Sequence, residues 1–133
     1  MDNIQQLLHK ASIAKENAYA PYSHYQVGAA VLSENGSIYA ACNVENISFP
    51  CGVCAEAGAI SAMIAAGGKH IKEILVTSSG NDLVYPCGAC LQRIAEFGDE
   101  NTKIHLADAV EIRKTYLLKE LLPYNFSERS IGK

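Results

Sequence analysis

Residues 26–42 read Gln26-Val-Gly-Ala-Ala-Val-Leu-Ser33, then Glu34-Asn35-Gly36, then Ser37-Ile-Tyr-Ala-Ala-Cys42. Two short apolar runs flank an Asn-Gly pair, the strongest local hairpin signal. The stretch therefore predicts two antiparallel strands, 26–33 and 37–42. Downstream, Cys54 to Ala66 is rich in Ala, Ile and Met and closes on Gly67-Gly68, which predicts a core helix with a glycine stop. Ile71 to Ser78 is apolar and β-branched, the composition of a buried strand. Pro86 to about Phe97 predicts a third helix and Lys103 to Ala107 a short strand. Val110 to Tyr116 reads as a weaker strand, and Leu117 to Leu122 as a brief helix stopped by Pro123. Upstream, Ile4, Leu7, Leu8, Ala11 and Ala14 recur at helical spacing. Residues 3–18 thus predict an amphipathic first helix, capped by Asp2 or Asn3 and ended at Ala20-Pro21-Tyr22-Ser23. A hairpin followed by alternating helices and strands predicts an α/β layered domain with a mixed sheet.

The 133 residues suit one domain, 1–133, with 49% apolar and 19% charged residues, a composition that excludes a mostly disordered chain. The net charge of −3 gives no general attraction to nucleic acid or to an acidic membrane. The apolar runs are far short of a bilayer span, and residues 1–20 hold no continuous apolar segment of the signal-peptide kind. Five cysteines without an export signal favour thiol or metal chemistry over a disulfide framework, and a cytoplasmic location is expected.

Four of the cysteines form two C-x-x-C pairs, Cys51/Cys54 and Cys87/Cys90. On the pairs alone, a closed four-thiolate structural zinc site remains open. The neighbours favour a catalytic arrangement. Glu56 follows Cys54 by two residues and Pro86 precedes Cys87, both at expected helix starts, where the helix dipole favours thiolates. Three ligands leave a fourth position for water, and a carboxylate that is not a ligand can move that water's proton. Cys54-Ala55-Glu56 followed by Pro86-Cys87-Gly88-Ala89-Cys90 matches the zinc-deaminase pattern H-x-E…P-C-x-x-C, with cysteine in the histidine position.

From about Asn17 to Phe126 the chain also resembles the cytidine deaminases, in particular their short homotetrameric type. The resemblance lies in Ala20-Pro-Tyr-Ser-His-Tyr-Gln-Val-Gly-Ala-Ala30, Asn43-Val-Glu-Asn46, Gly52-Val-Cys-Ala-Glu56, Ser61-Ala62, Pro86-Cys-Gly-Ala-Cys-Leu-Gln92 and Leu121-Leu-Pro-Tyr-Asn-Phe126. It implies a three-layer α/β/α sandwich around a mixed five-stranded sheet. It implies zinc held by Cys54, Cys87 and Cys90, with Glu56 moving protons while water attacks C4 of the cytosine ring. Asn43 and Glu45 would bind the ribose hydroxyls, the Ala55 backbone would meet the base edge, and Tyr25 would pack against the base. Phe126 corresponds to an aromatic that reaches into a neighbouring subunit's site. Cys51 is not expected to be a ligand, because a fourth thiolate would close the open position. Cys42 reads as a small buried apolar residue, and the four histidines as structural or surface groups.

Two departures from the family pattern carry physical weight. Ala57 stands where the three-cysteine members usually have an arginine that donates to the thiolates, and Leu91 follows the last ligand cysteine where a cation is common. Zinc with three thiolates sums to −1, which weakens it as a Lewis acid. The two helix dipoles could suffice, or Arg93 could substitute, or activity could be low or the substrate different. The implied function is hydrolytic deamination of free cytidine and deoxycytidine in pyrimidine salvage, without nucleic-acid or membrane partners. The alternatives are a deaminase of a modified nucleoside such as blasticidin S, and a non-catalytic zinc-stabilised scaffold.

Overall fold

Asp2 opens the first helix with a reciprocal cap. Its Oδ1 accepts from the Gln5 N–H at 2.8 Å while Gln5 Oε1 accepts from the Asp2 N–H at 3.3 Å. The computed structural model describes residues 2–132. The first helix, α1, spans Asn3–Glu16. It stops before Pro21 and two residues short of the expected end. The cause is non-local: the Tyr19 N–H donates to the Asn43 carbonyl and the Glu45 N–H to the Tyr19 carbonyl. That pairing draws the chain out of the helix toward the loop after the second strand.

The hairpin forms between β1 (Val27–Ser33) and β2 (Ile38–Cys42), with Ala30 opposite Ala40. Its turn is longer than a two-residue Asn-Gly turn. The Gly36 N–H donates to the Ser33 carbonyl, and only Gly36 takes the left-handed conformation (φ 85°), while the Asn35 Oδ1 accepts from the Ser37 N–H at 3.0 Å. The helix α2 (Ala55–Ala65) leads to β3 (Ile71–Ser78), and α3 (Gly88–Phe97) leads to β4 (Lys103–Ala107). Then come β5 (Ile112–Leu117) and the single turn α4 (Leu118–Leu121). A short 3-10 turn at Phe49–Cys51 precedes α2, and another at Glu128–Ile131 follows α4. The last strand starts two residues later than expected. Asp108 Oδ1 accepts from the Val110 and Glu111 N–H groups, which fixes a turn where the strand would have begun.

The five strands lie in the order β2-β1-β3-β4-β5, with β3 and β4 parallel and every other pair antiparallel. All seven residues of β1 are buried, because helices cover both faces of the sheet. On one face Leu7 and Ala11 of α1 pack against Ala30, Leu32, Leu75 and Ala107. On the other, Ala59, Ile60 and Met63 of α2 and Leu91 and Ile94 of α3 pack against Ala29, Val31, Ile74 and Ile104. The expected three-layer mixed sheet is therefore present. Gly28 sets the spacing of α1 on the sheet: a Cβ there would fall 2.0 Å from the Ala11 carbonyl oxygen. His105, buried on β4, bonds Glu73 Oε1 at 2.6 Å and Thr115 Oγ1 at 2.8 Å, a structural arrangement as expected.

Candidate active site

The helices α2 and α3 lie on the same face and start with cysteines. Cys54 is the N-cap residue of α2 and Cys87 that of α3, and neither side chain caps its helix. Both thiols are thus left free at the positive end of a helix dipole. One turn into α3, Cys90 is buried, and its Sγ lies 3.0 Å from Cys54 Sγ. Glu56, in the first turn of α2, is 5% exposed. The donor atoms of Cys54, Glu56 and Cys90 lie within 4.8 Å of one another. Cys87 is exposed and its thiol is not part of that group. Cys51 is exposed too, with its sulfur beside Ser48 Oγ. Cys42 is half-buried at the end of β2 rather than enclosed in the core.

Burial raises the carboxyl of Glu56 above the ordinary range, against its own N–H and the charge of Arg93. Burial also pushes the Cys90 thiol up, reinforced by the charge of Glu56 and by Cys54, and opposed by a bond from Arg93. The direction of Arg93, open in the sequence, is now set: its Nη1 lies 3.4 Å from Cys90 Sγ and 3.5 Å from Cys54 Sγ.

A cleft of about 510 Å³ runs to Cys54 from the loop after β2, lined by Tyr22, Ser23, Asn43, Glu45, Asn46 and Phe49 among others. Two of the expected substrate residues, Asn43 and Glu45, lie on its wall. The Asn43 Oδ1 accepts from the Val27 N–H at 2.9 Å and its Nδ2 donates to the Tyr25 carbonyl at 2.8 Å. Glu45 Oε1 accepts from the Tyr22 and Ser23 N–H groups at 3.0 and 3.1 Å, and Oε2 accepts from the Ser23 hydroxyl. The Ser23 hydroxyl, then those backbone donors, hold its carboxyl below the usual carboxylate range.

Ala55 is fully buried beside the thiols as the first residue of α2. Tyr25 is not on the cleft wall; its ring lies over Gly80. The aromatic wall comes instead from Tyr22 and Phe49, with ring centroids 6.3 Å apart. The sequence singles out neither for the site: Tyr22 lies within the stretch 20–30 and Phe49 in a Phe-Pro step, and neither carries a periodic signal. Phe126 is 66% exposed and does not line the cleft, its carbonyl accepting from Gln92 Nε2 at 2.7 Å.

Two soft thiols converging with a buried carboxylate form a donor set that suits zinc. Helix starts bearing C-A-E and P-C-x-x-C over a mixed sheet, opening on a cleft that carries Asn43 and Glu45, define the class of zinc-dependent nucleobase deaminases. A family model described as "Cytidine and deoxycytidylate deaminase zinc-binding region" matches residues 1–106. A cytidine deaminase from Sporosarcina psychrophila is 37% identical over 131 residues, covering 98% of this chain and 96% of that one. One from Halalkalibacterium halodurans is 37% identical over 128 residues, covering 96% and 97% of the two chains. The crystal structure of cytidine deaminase from Burkholderia pseudomallei superimposes with a TM-score of 0.85 at 35% identity, over 95% of this chain and all of that one. The chain belongs to the cytidine deaminase family.

Proposed function

We propose that this enzyme hydrolyses the exocyclic C4–N bond of free cytidine and deoxycytidine, with water as co-substrate, giving uridine or deoxyuridine and ammonia. The observation that carries the reading is Glu56: a buried carboxyl within 4.8 Å of two thiols at the end of a nucleoside-sized cleft. Cys54, Cys87 and Cys90 are the residues that would hold zinc. When bound, zinc acts as a Lewis acid and makes water acidic enough to attack near neutral pH.

Glu56 does the proton work. A carboxyl raised by burial both accepts a proton from water and gives one up, first to ring N3 and then to the departing amine nitrogen. The Ala55 backbone, fixed at the helix start, meets the edge of the base. Asn43 and Glu45 supply acceptor and donor atoms for the sugar hydroxyls. Ser23 and two backbone N–H groups pin the carboxylate of Glu45 in place, so it is preorganised as an acceptor. A site that hydrogen-bonds a sugar hydroxyl rejects analogues lacking it, which favours a nucleoside over a free base.

The same reading gives one domain over residues 1–133, an enzyme of pyrimidine salvage in the cytoplasm, and no nucleic-acid partner. No described helix is long and apolar enough to cross a membrane. We read the assembly as a homotetramer. In that assembly Phe126, exposed and off the wall of its own cleft, would serve a neighbouring site. Tyr25 would turn toward the base once substrate orders the cleft.

The test is the ultraviolet spectrum of cytidine with the purified protein, against a Glu56→Ala control. Loss of the cytidine band in the parent alone supports the reading. An unchanged spectrum with zinc bound overturns it.

A further inference from the structure

The cluster at the starts of α2 and α3 gathers acidic groups, and one cation is set on it. Arg93 lies three residues after Cys90 on α3, so both fall on one helix face. Its Nη1 lies within 3.5 Å of Cys54 Sγ and 3.4 Å of Cys90 Sγ, joining a sulfur at the start of α2 to one inside α3. Zinc held by three thiolates carries one surplus negative charge, before Glu56 is counted. We propose that Arg93 is the positioning residue that cancels this surplus and holds the two sulfurs for zinc. The inference rests on the reading of Cys54, Cys87 and Cys90 as zinc ligands.

The surroundings explain why this position can do so. Ala57 and Arg93 line the same groove of about 470 Å³, together with Ile60, Ser61 and Phe97. Ala57 stands three residues after Cys54, as Arg93 stands three after Cys90, so the two positions flank the sulfurs from opposite helices. A guanidinium brings several donors in a fixed fork, so one side chain can serve both sulfurs, where an ammonium offers a point charge. The geometry also makes the task transferable: a long cation at position 57 would reach the same sulfurs from α2.

The experiment measures zinc retention rather than turnover. Zinc-loaded parent, Arg93→Met, Arg93→Lys and the double variant Arg93→Met/Ala57→Arg are titrated with a chelator, and bound metal is read by atomic absorption. Groups that hydrogen-bond metal ligands commonly change metal affinity by about 10- to 100-fold. Arg93→Met should weaken zinc binding by roughly that range, Arg93→Lys by less, and the double variant should regain most of the loss. Melting of the zinc-free proteins supplies the control. Parent and Arg93→Met should melt alike, whereas a merely structural Arg93 would lower the melt and leave zinc affinity unmoved. If Arg93→Met fails to fold, Arg93→Lys and the double variant decide the matter. Equal zinc affinity across the series, or a double variant no better than Arg93→Met, overturns the inference and leaves the zinc reading standing. A parent that binds no zinc overturns both.

Discussion

Asn43 works at the junction of strand, loop and cleft. Its side chain accepts from Val27 and donates to the Tyr25 carbonyl, closing the edge where the hairpin leaves the sheet. Both bonds vanish in Asn43→Ala, and the Val27 N–H loses its partner. Each such bond contributes about 0.5–1.5 kcal/mol, so the variant should lose about 1–3 kcal/mol, read as a lower urea midpoint at unchanged slope. The cleft wall should loosen as well, raising KM for cytidine more than it lowers kcat. At this scale the sequence is most eloquent about chemistry and least about direction. Cys54, Glu56 and Cys90 are recognisable from their spacing because helix starts fix where such residues point. Arg93 is different: a long side chain on a helix surface has many rotamers, and only the packed structure shows that it turns to the sulfurs.

Among the elements, the strands are the most legible and the ends of helices the least. The bounds Ile71–Ser78 and Lys103–Ala107 agree with the sequence reading, because apolar and β-branched residues cluster there between turn-forming stretches. The end of α1 was misplaced because Tyr19 pairs with Asn43 and Glu45, partners more than twenty residues away. The close seat of α1 on β1 gives a direct test. Gly28→Ala would place a methyl 2.0 Å from the Ala11 carbonyl oxygen, so the helix must lift from the sheet. Such overpacking costs about 1–3 kcal/mol or more, measured as a fall in unfolding free energy.

The β4–β5 turn gives a second test. Backbone N–H groups of Glu111 and Val110, with Arg113, hold the carboxyl of Asp108 down to about 2 from an ordinary 3.8. A lowered carboxyl contributes stability that is complete above its unfolded value and is lost as pH falls toward the folded one. The contribution of Asp108 should therefore fade between about pH 4 and pH 2. Asp108→Asn should be the less stable protein at neutral pH, and the gap should close in acid, followed by circular-dichroism melts across that window.

Across the whole molecule, the layering is legible because composition and element order constrain it, and the cysteines at two expected helix starts already point to a joining of α2 to α3, though not to the part Arg93 takes in it. These helices cover one face of the sheet and share the core of Met63, Leu91 and Ile94, and near their N-termini Cys54 meets Cys90 and Arg93. A metal bound there binds the folded chain and not the separated segments, so its binding free energy adds to folding stability. With free zinc at a hundred times Kd, the gain is about 2.7 kcal/mol, which for a chain of this size corresponds to roughly 10 °C in Tm. Chelation should lower Tm by that order, and readded zinc should restore it in a concentration-dependent way. The Cys54→Ser variant should melt near the chelated protein and respond little to zinc, because a serine hydroxyl replaces a soft thiolate. A parent whose Tm ignores both chelator and zinc would separate the two helix starts from any metal. The joint between α2 and α3 would then rest on the shared core, the thiol contact and Arg93.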